Sequence, residues 1–305
     1  MNMGKSMVIY DRIQCRSPAI FDGSLPGIIP YNDVVFINIK NKEKHNALTP
    51  QTLQQIAQKI EELQDSARYV VLYPGTRPVA KEMPKTALER CFNRLSHLFF
   101  PSVDSLRSEG SFSAGADVSL MASQKNDEVY RFVRDGQMAI ERIERSPLVK
   151  IAAIDGYCIG GGCEIAMACN YRISTPDAKF MMPEKRLGIL PGWGGCSRLQ
   201  RHIGVDNTLK MLDQGEKRLP TRAAQAYEMG LIDYIVPSGD IAEQTFRMIL
   251  NGEFKTMPSR SLNSQDKSPI LPLNDEEEAQ AFAYAFRNGT PEGMRKHLEM
   301  EARRQ

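Results

Sequence analysis

Tryptophan is nearly missing from this chain: one residue, Trp193, in 305. Also missing is any run of about 18 apolar residues, the length a helix needs to cross a bilayer, so neither a transmembrane helix nor a membrane partner is expected. Neither sign of charge is in excess. The formal net charge is +2, which gives no electrostatic reason for a nucleic-acid or anionic-surface partner. The opening residues, 1–14, lack the apolar core of a secretory leader, and the expected location is the cytoplasm. The six cysteines, Cys15, Cys91, Cys158, Cys163, Cys169 and Cys196, lack the spacing of a zinc site. Without a leader, a disulfide framework is not expected either, and small buried thiols are the better reading. No metal is expected. Cys163 has no base near it in sequence that would make it a nucleophile.

What is present is an ordinary globular composition, 42% hydrophobic and 25% charged, long enough for one large or two moderate domains. Val34 to Ile39 reads as a strand. Thr49-Pro50 reads as an N-cap followed by proline at the first helical position, and Leu53, Ile56, Ile60 and Leu63 give that helix one apolar face. Tyr69 to Tyr73 reads as the next strand. A strand–helix–strand order favours parallel pairing. Residues 127 to 145 form an amphipathic helix that stops before Pro147, and 149 to 154 form a buried strand. Short strands are predicted at 171–174, 179–182 and 232–236, and helices at 196–202, 206–212 and 221–229. The segment from 74 to 110, punctuated by Pro74, Pro78, Pro84 and Pro101, is too long for an ordinary connection. It reads as an inserted subdomain or lid.

Chemistry concentrates in IAAIDGYCIGGGCE, residues 151–164. Three glycines in a row are costly inside a helix, at roughly 1 kcal/mol each relative to alanine. At a helix start they admit close approach to the backbone and leave N–H groups pointing outward, where the helix dipole adds positive character. Such a place suits an anion, or an oxygen that becomes one. Glu164 follows within a turn. The alternative is a tightly packed turn with Glu164 as an ordinary first-turn carboxylate. A second small-residue turn, Ala114-Gly115-Ala116, precedes Asp117, which is placed to cap a short helix. A second carboxylate, Glu184, follows Pro183. Its alternative is a capping or salt-bridged surface residue, since Lys185 and Arg186 adjoin it.

Four separated segments in order, FSAGAD, IDGYCIGGGCEIAMACNYRIST, DAKFMMPEKRLGILPGWGGCSRL and PTRAAQAYEMGLIDYIVP, resemble the crotonase superfamily, to which enoyl-CoA hydratases belong. NKEKHNALTP resembles the approach to that family's first helix. The resemblance spans roughly residues 34–73 and 111–250. It implies an α/β fold, a spiral of ββα units with a helical C-terminal region, dividing into a core over 1–250 with its insertion at 74–110 and a trimerisation or lid region over 251–305. It implies an acyl-CoA thioester substrate, no cofactor beyond the coenzyme A that the substrate carries, and a homotrimer or dimer of trimers. The matching oxyanion donors are the backbone N–H groups of Ala116 and Gly161. Glu164 and Glu184 match the hydratase branch's two glutamates, the first toward water and the second as proton donor to the α-carbon. Lys44, Ala47, Ala114, Asp117, Gly160 and Trp193 fall where the family binds substrate. Two departures stand out: the insertion beside Ala116, and a tail after about residue 250 that is shorter and more polar than usual. Other reactions of the superfamily, isomerisation, decarboxylation or hydrolysis, remain alternatives, as does a non-catalytic acyl-CoA-binding homologue.

Overall fold

Strands with nearly continuous apolar runs are buried on both faces, and such strands form the centre of this protein. A computed structural model describes residues 9–11, 33–39, 45–74, 111–117, 120–121, 126–238, 241–254 and 275–288. Among these residues the main sheet has six strands in the order β1 (Ile9–Asp11), β2 (Val34–Asn38), β3 (Tyr69–Tyr73), β5 (Val149–Ile154), β7 (Tyr171–Ser174) and β10 (Tyr234–Ile235). All its pairings are parallel except that of β1 with β2. The period-2 alternation of side chains divides the central strands cleanly. Val35, Ile37, Val70, Leu72, Ala152 and Ile154 enter one core, shared with the helices α1 (Pro50–Glu62) and α2 (Asn126–Arg145). Phe36, Val71, Ile151, Ala153 and Ile173 enter a second core, closed by α6 (Ile241–Leu250) through Phe246 and Ile249.

A second sheet of four strands runs β4 (Ser111–Ser113), β6 (Tyr157–Ile159), β8 (Lys179–Met181) and β9 (Thr221–Arg222). From β3 to β8 consecutive strands therefore alternate between sheets. β5 lies in the first and β6 in the second, and α3 (Gly161–Met167) follows; β7 and β8 repeat the step, and α4 (Gly195–Glu216) follows. This is the predicted spiral of ββα units. Each unit ends its second-sheet strand just before a glutamate-bearing turn, so the spiral brings Glu164 and Glu184 to the same edge.

The helix signals hold in detail. Thr49 Oγ1 accepts from Thr52 N at 3.1 Å, the expected cap, with Pro50 opening α1. Asp117 Oδ1 accepts from Leu120 N at 3.2 Å, the other expected cap. Three predictions differ. The segment between Asp155-Gly156 and the triple glycine, for which the sequence pattern predicts no element, forms strand β6. Residues 196–202 and 206–212 belong to one helical run, α4, which is broken only at Gly204, whose φ of 79° and ψ of 169° are not helical. Thr221-Arg222 is strand β9, and the helix behind it is only α5 (Ala223–Glu228). The last described helix, α7 (Asp275–Asn288), packs on α2. The insertion at 75–110, Lys44 and most of the region after 254 lie outside the described residues.

Candidate active site

The site begins where residues 45–48 run beside residues 111–117. His45 O accepts from Ala114 N at 3.0 Å, and Asn46 Nδ2 donates to Ser111 O at 2.8 Å. Leu48 N donates to Gly115 O, and Asp117 N donates to Leu48 O, a parallel bridge that also fixes the buried Ala47 next to it. In such a bridge the residue between the two bonded ones turns its own N–H away from the partner strand. Ala116 is that residue. Its N–H faces the Gly161 turn: a Cβ built on Gly161 would lie 3.1 Å from Ala116 N. Neither Ala116 N nor Gly161 N donates to a backbone carbonyl among the described residues. Two backbone donors thus stand side by side without a backbone acceptor among the described residues, although buried donors are ordinarily paired.

Gly160 makes this arrangement possible. It is the N-cap of α3 with φ 48° and ψ −117°, in a region that side chains disfavour. A Cβ there would lie 2.6 Å from Glu184 Oε1, so the Glu184 carboxyl rests on the bare backbone of the glycine turn. Trp193 backs the same turn. Its indole is buried, stacks on Phe132 with ring centroids 5.7 Å apart, and lies against Gly136 and Gly161. The tryptophan is therefore a core side chain that fixes the Gly161 backbone from behind.

Glu164 and Glu184 lie in opposite surroundings. Glu164, 2% exposed, accepts two hydrogen bonds on Oε1, from Trp193 N at 2.7 Å and Gly195 N at 2.9 Å. Two N–H donors on one oxygen, at a helix start, favour the carboxylate form. Glu184 opens a single 3₁₀ turn, Glu184–Leu187, and its Oε2 has no hydrogen-bond partner among the described residues. Burial pushes its carboxyl well above the usual range, and the charges of Glu164 and Glu278 push the same way. The salt-bridge alternative for Glu184 does not hold. Lys185 pairs instead with Asp213 at 2.6 Å and Glu216 at 2.8 Å on α4.

The loop 191–195 that serves Glu164 is held on every side. Gln137 Nε2 donates to Gly192 O at 2.8 Å, and Arg198 Nη1 donates to Trp193 O at 2.9 Å. Arg198 is itself tied to Glu144 at 2.6 Å. From the far side comes Glu278 on α7, fully buried, whose carboxylate accepts from Gly194 N and Ser197 N. Sequence reasoning missed Glu278. It sits in DEEEAQAF, where an acidic run reads as a solvated helix face; the available signal was Phe282, one turn later and on the same side. The four described cysteines follow their expected part, and Cys15 and Cys91 lie outside the described residues. Cys158, Cys163, Cys169 and Cys196 are free and buried, and Cys163 Sγ donates to Cys158 O at 2.9 Å.

The arrangement can therefore polarise a carbonyl, supply a fixed carboxylate and supply a carboxylic acid at one place. Comparison with known proteins shows the family. The family model described as "Enoyl-CoA hydratase/isomerase" matches residues 105–283. A "Fatty acid oxidation complex subunit alpha" from Psychrobacter sp. (strain PRwf-1) is 34% identical over 184 residues, which is 58% of this chain and 25% of that protein. The chain thus spans about a quarter of the length of the curated relatives it matches. Among solved structures, an enoyl-CoA hydratase from Bacillus halodurans is similar with a TM-score of 0.61 at 22% identity, covering 88% of this chain and 96% of that one. One from Bacillus anthracis is similar with a TM-score of 0.58 at 23% identity, covering 90% and 88%. At those identities the likeness carries the fold alone. No described helix is long and apolar enough to cross a membrane.

Proposed function

Because this chain belongs to the enoyl-CoA hydratase/isomerase family, we propose that it is a hydro-lyase that adds water across the α,β-double bond of an acyl-CoA thioester. The observation that carries the reading is the unlike pair: Glu164 held by two N–H donors, and Glu184 buried with an oxygen left unpartnered. Hydration needs one group that takes a proton and one that gives a proton. In the forward direction Glu164 takes a proton from water as the water oxygen bonds to the β-carbon. The electron pair of the double bond moves toward the thioester, and the carbonyl oxygen gains negative charge against Ala116 N–H and Gly161 N–H. Glu184 then delivers its proton to the α-carbon, and the two carboxyls exchange protons to reset. Because the two donors are backbone groups, fixed by the Leu48 bridge and the α3 start, they need no reorganisation as the charge develops. Ala47, Ala114, Asp117, Gly160 and Trp193 shape this place, and coenzyme A enters as part of the substrate. A homotrimer or dimer of trimers working in the cytoplasm belongs to the same proposal.

The test is the loss of enone absorbance when crotonyl-CoA and longer enoyl-CoA thioesters are supplied. Water addition confirms the reading. Tight binding of acyl-CoA with no turnover of any thioester would instead identify a non-catalytic homologue, and double-bond migration without hydration would identify an isomerase.

A further inference from the structure

The start of α4 offers its N–H groups to two different carboxylates by turns. Trp193 N and Gly195 N donate to Glu164, whereas Gly194 N and Ser197 N donate to Glu278. Gly194 is the pivot of this alternation. It is the N-cap, with φ 89° and ψ 17°, the left-handed region that favours glycine. The carbonyls of the loop are fastened by Gln137 and Arg198, but the N–H of Gly194 is fastened by Glu278. One turn further along α7, Phe282 lies against Gly192: a Cβ there would be 2.5 Å from its Cδ2. α7 therefore clamps both ends of the short loop that presents the Glu164 donors.

A fully buried carboxylate is costly unless it is well bonded, and as a mere tether for α7 an apolar side chain would serve as well or better. We propose that Glu278 is a positioning residue for the hydration reaction, anchoring Gly194 so that the Trp193 and Gly195 N–H groups stay aimed at Glu164. It acts through the loop, accepting hydrogen bonds from the Gly194 and Ser197 N–H groups. The proposal rests on the reading of Glu164 as the base. It also makes α7 part of the catalytic apparatus, so the site extends beyond the ββα spiral into the C-terminal region.

The experiment compares Glu278→Gln and Glu278→Ala with the wild type, using full-length protein and crotonyl-CoA. The readouts are kcat, KM, melting temperature, hydrogen–deuterium exchange over 191–197, and emission of Trp193, the sole tryptophan. Misplacing a catalytic group by about 1 Å can cost about 10²-fold in rate. The expected result is a kcat lower by about 10–100-fold with KM nearly unchanged, faster exchange at the loop amides and a changed Trp193 emission. Glu278→Gln, which keeps one acceptor oxygen and the side-chain shape, should lose less than Glu278→Ala. If Glu278→Ala does not fold, the glutamine variant decides alone. Loop exchange and emission like the wild type's, or a kcat that falls only as the folded fraction falls, would overturn the proposal. Should the wild type hydrate no thioester, the functional reading fails by itself, and loop exchange with Trp193 emission still decides whether Glu278 positions the loop.

Discussion

Two glycine-rich helix starts lie within one site, and they are used in opposite ways. At α3, CIGGGCE, the Gly161 N–H stands beside Ala116 N–H without a backbone acceptor among the described residues. At α4, PGWGGCS, the N–H groups of Trp193, Gly194, Gly195 and Ser197 are all taken by Glu164 and Glu278. Helix starts are generic anion sites. What separates an open start from one that is part of the frame is whether another element brings a carboxylate to it. The filled start has an effect of its own, since its N–H donors favour the carboxylate form of Glu164, while burial raises the pKa of Glu184 beside it.

Exchanging the acceptors is the strongest way to break this comparison. Glu164→Gln and Glu184→Gln keep side-chain shape but cannot move a proton. Each should lower hydration by about 10²–10⁴-fold while the protein still folds and binds acyl-CoA, as steady-state kinetics and calorimetry would show. The double variant should be little worse than the worse single one, because groups that act as a unit are not additive. If Glu164 were only the cap of α4, Glu164→Gln would lose stability and keep its rate. Next in size is the unfilled start. Gly161→Pro removes one of its two donors, and loss of an oxyanion donor costs about 2.7–4 kcal/mol of transition-state stabilisation. A variant with a wild-type circular dichroism spectrum and an undiminished kcat would remove Gly161 from the mechanism.

A smaller effect concerns stability. Glu184 has its carboxyl raised by burial first and by Glu164 second. Between the ordinary carboxyl pKa and the raised one, the native state holds a proton that the unfolded chain has released. The contribution of this group is therefore fully present below the ordinary value and is lost as pH rises through the raised one. Glu184→Gln has no such proton to lose. Its stability advantage over the wild type should be nil in acid and grow with pH, as urea titrations over a pH series would measure. The same proton makes Glu184 an acid, so wild-type hydration should fall on the alkaline side as Glu184 ionises.

Much of this was legible in the sequence because it is local. The period-2 and helical patterns place β3 and β5 to the residue and β2 and α1 nearly so, and Thr49-Pro50 and Asp117 announce their caps. The motif resemblance points to Glu164, Glu184, Ala116 and Gly161, and the structure brings these four residues to one place. The non-local parts were not legible. Strand β6 is three residues, too short for alternation to show, and it exists because β4 and β8 pair with it on either side. Glu278 is hidden in an acidic run, and only the packing of α7 on α2 and on the 191–195 loop takes it out of water. PGWGG and IGGGC look alike as strings, and nothing in either says which start another element will fill.

That last distinction has a chemical test on Cys196, which lies in the first turn of α4. A cysteine at a helix start ordinarily has a lowered pKa and reacts readily, because the helix N-terminus stabilises its thiolate. Here burial pushes the Cys196 thiol well up, and the charges of Glu278, Glu164 and Glu184 push it further. The filled start cannot stabilise another anion. Cys196 should therefore resist iodoacetamide in the native protein at neutral pH, read peptide by peptide by mass spectrometry. It should alkylate in urea, and Cys196→Ala should leave hydration unchanged. Burial alone would also slow alkylation, so the sharper comparison is with Glu278→Gln. That variant removes the largest of the three charges acting on the thiol and loosens the loop, and Cys196 should then alkylate faster, whereas the equally buried Cys169 should not. Rapid alkylation of Cys196 in the wild type would mean that the α4 start still stabilises anions, and the contrast between the two helix starts would be lost.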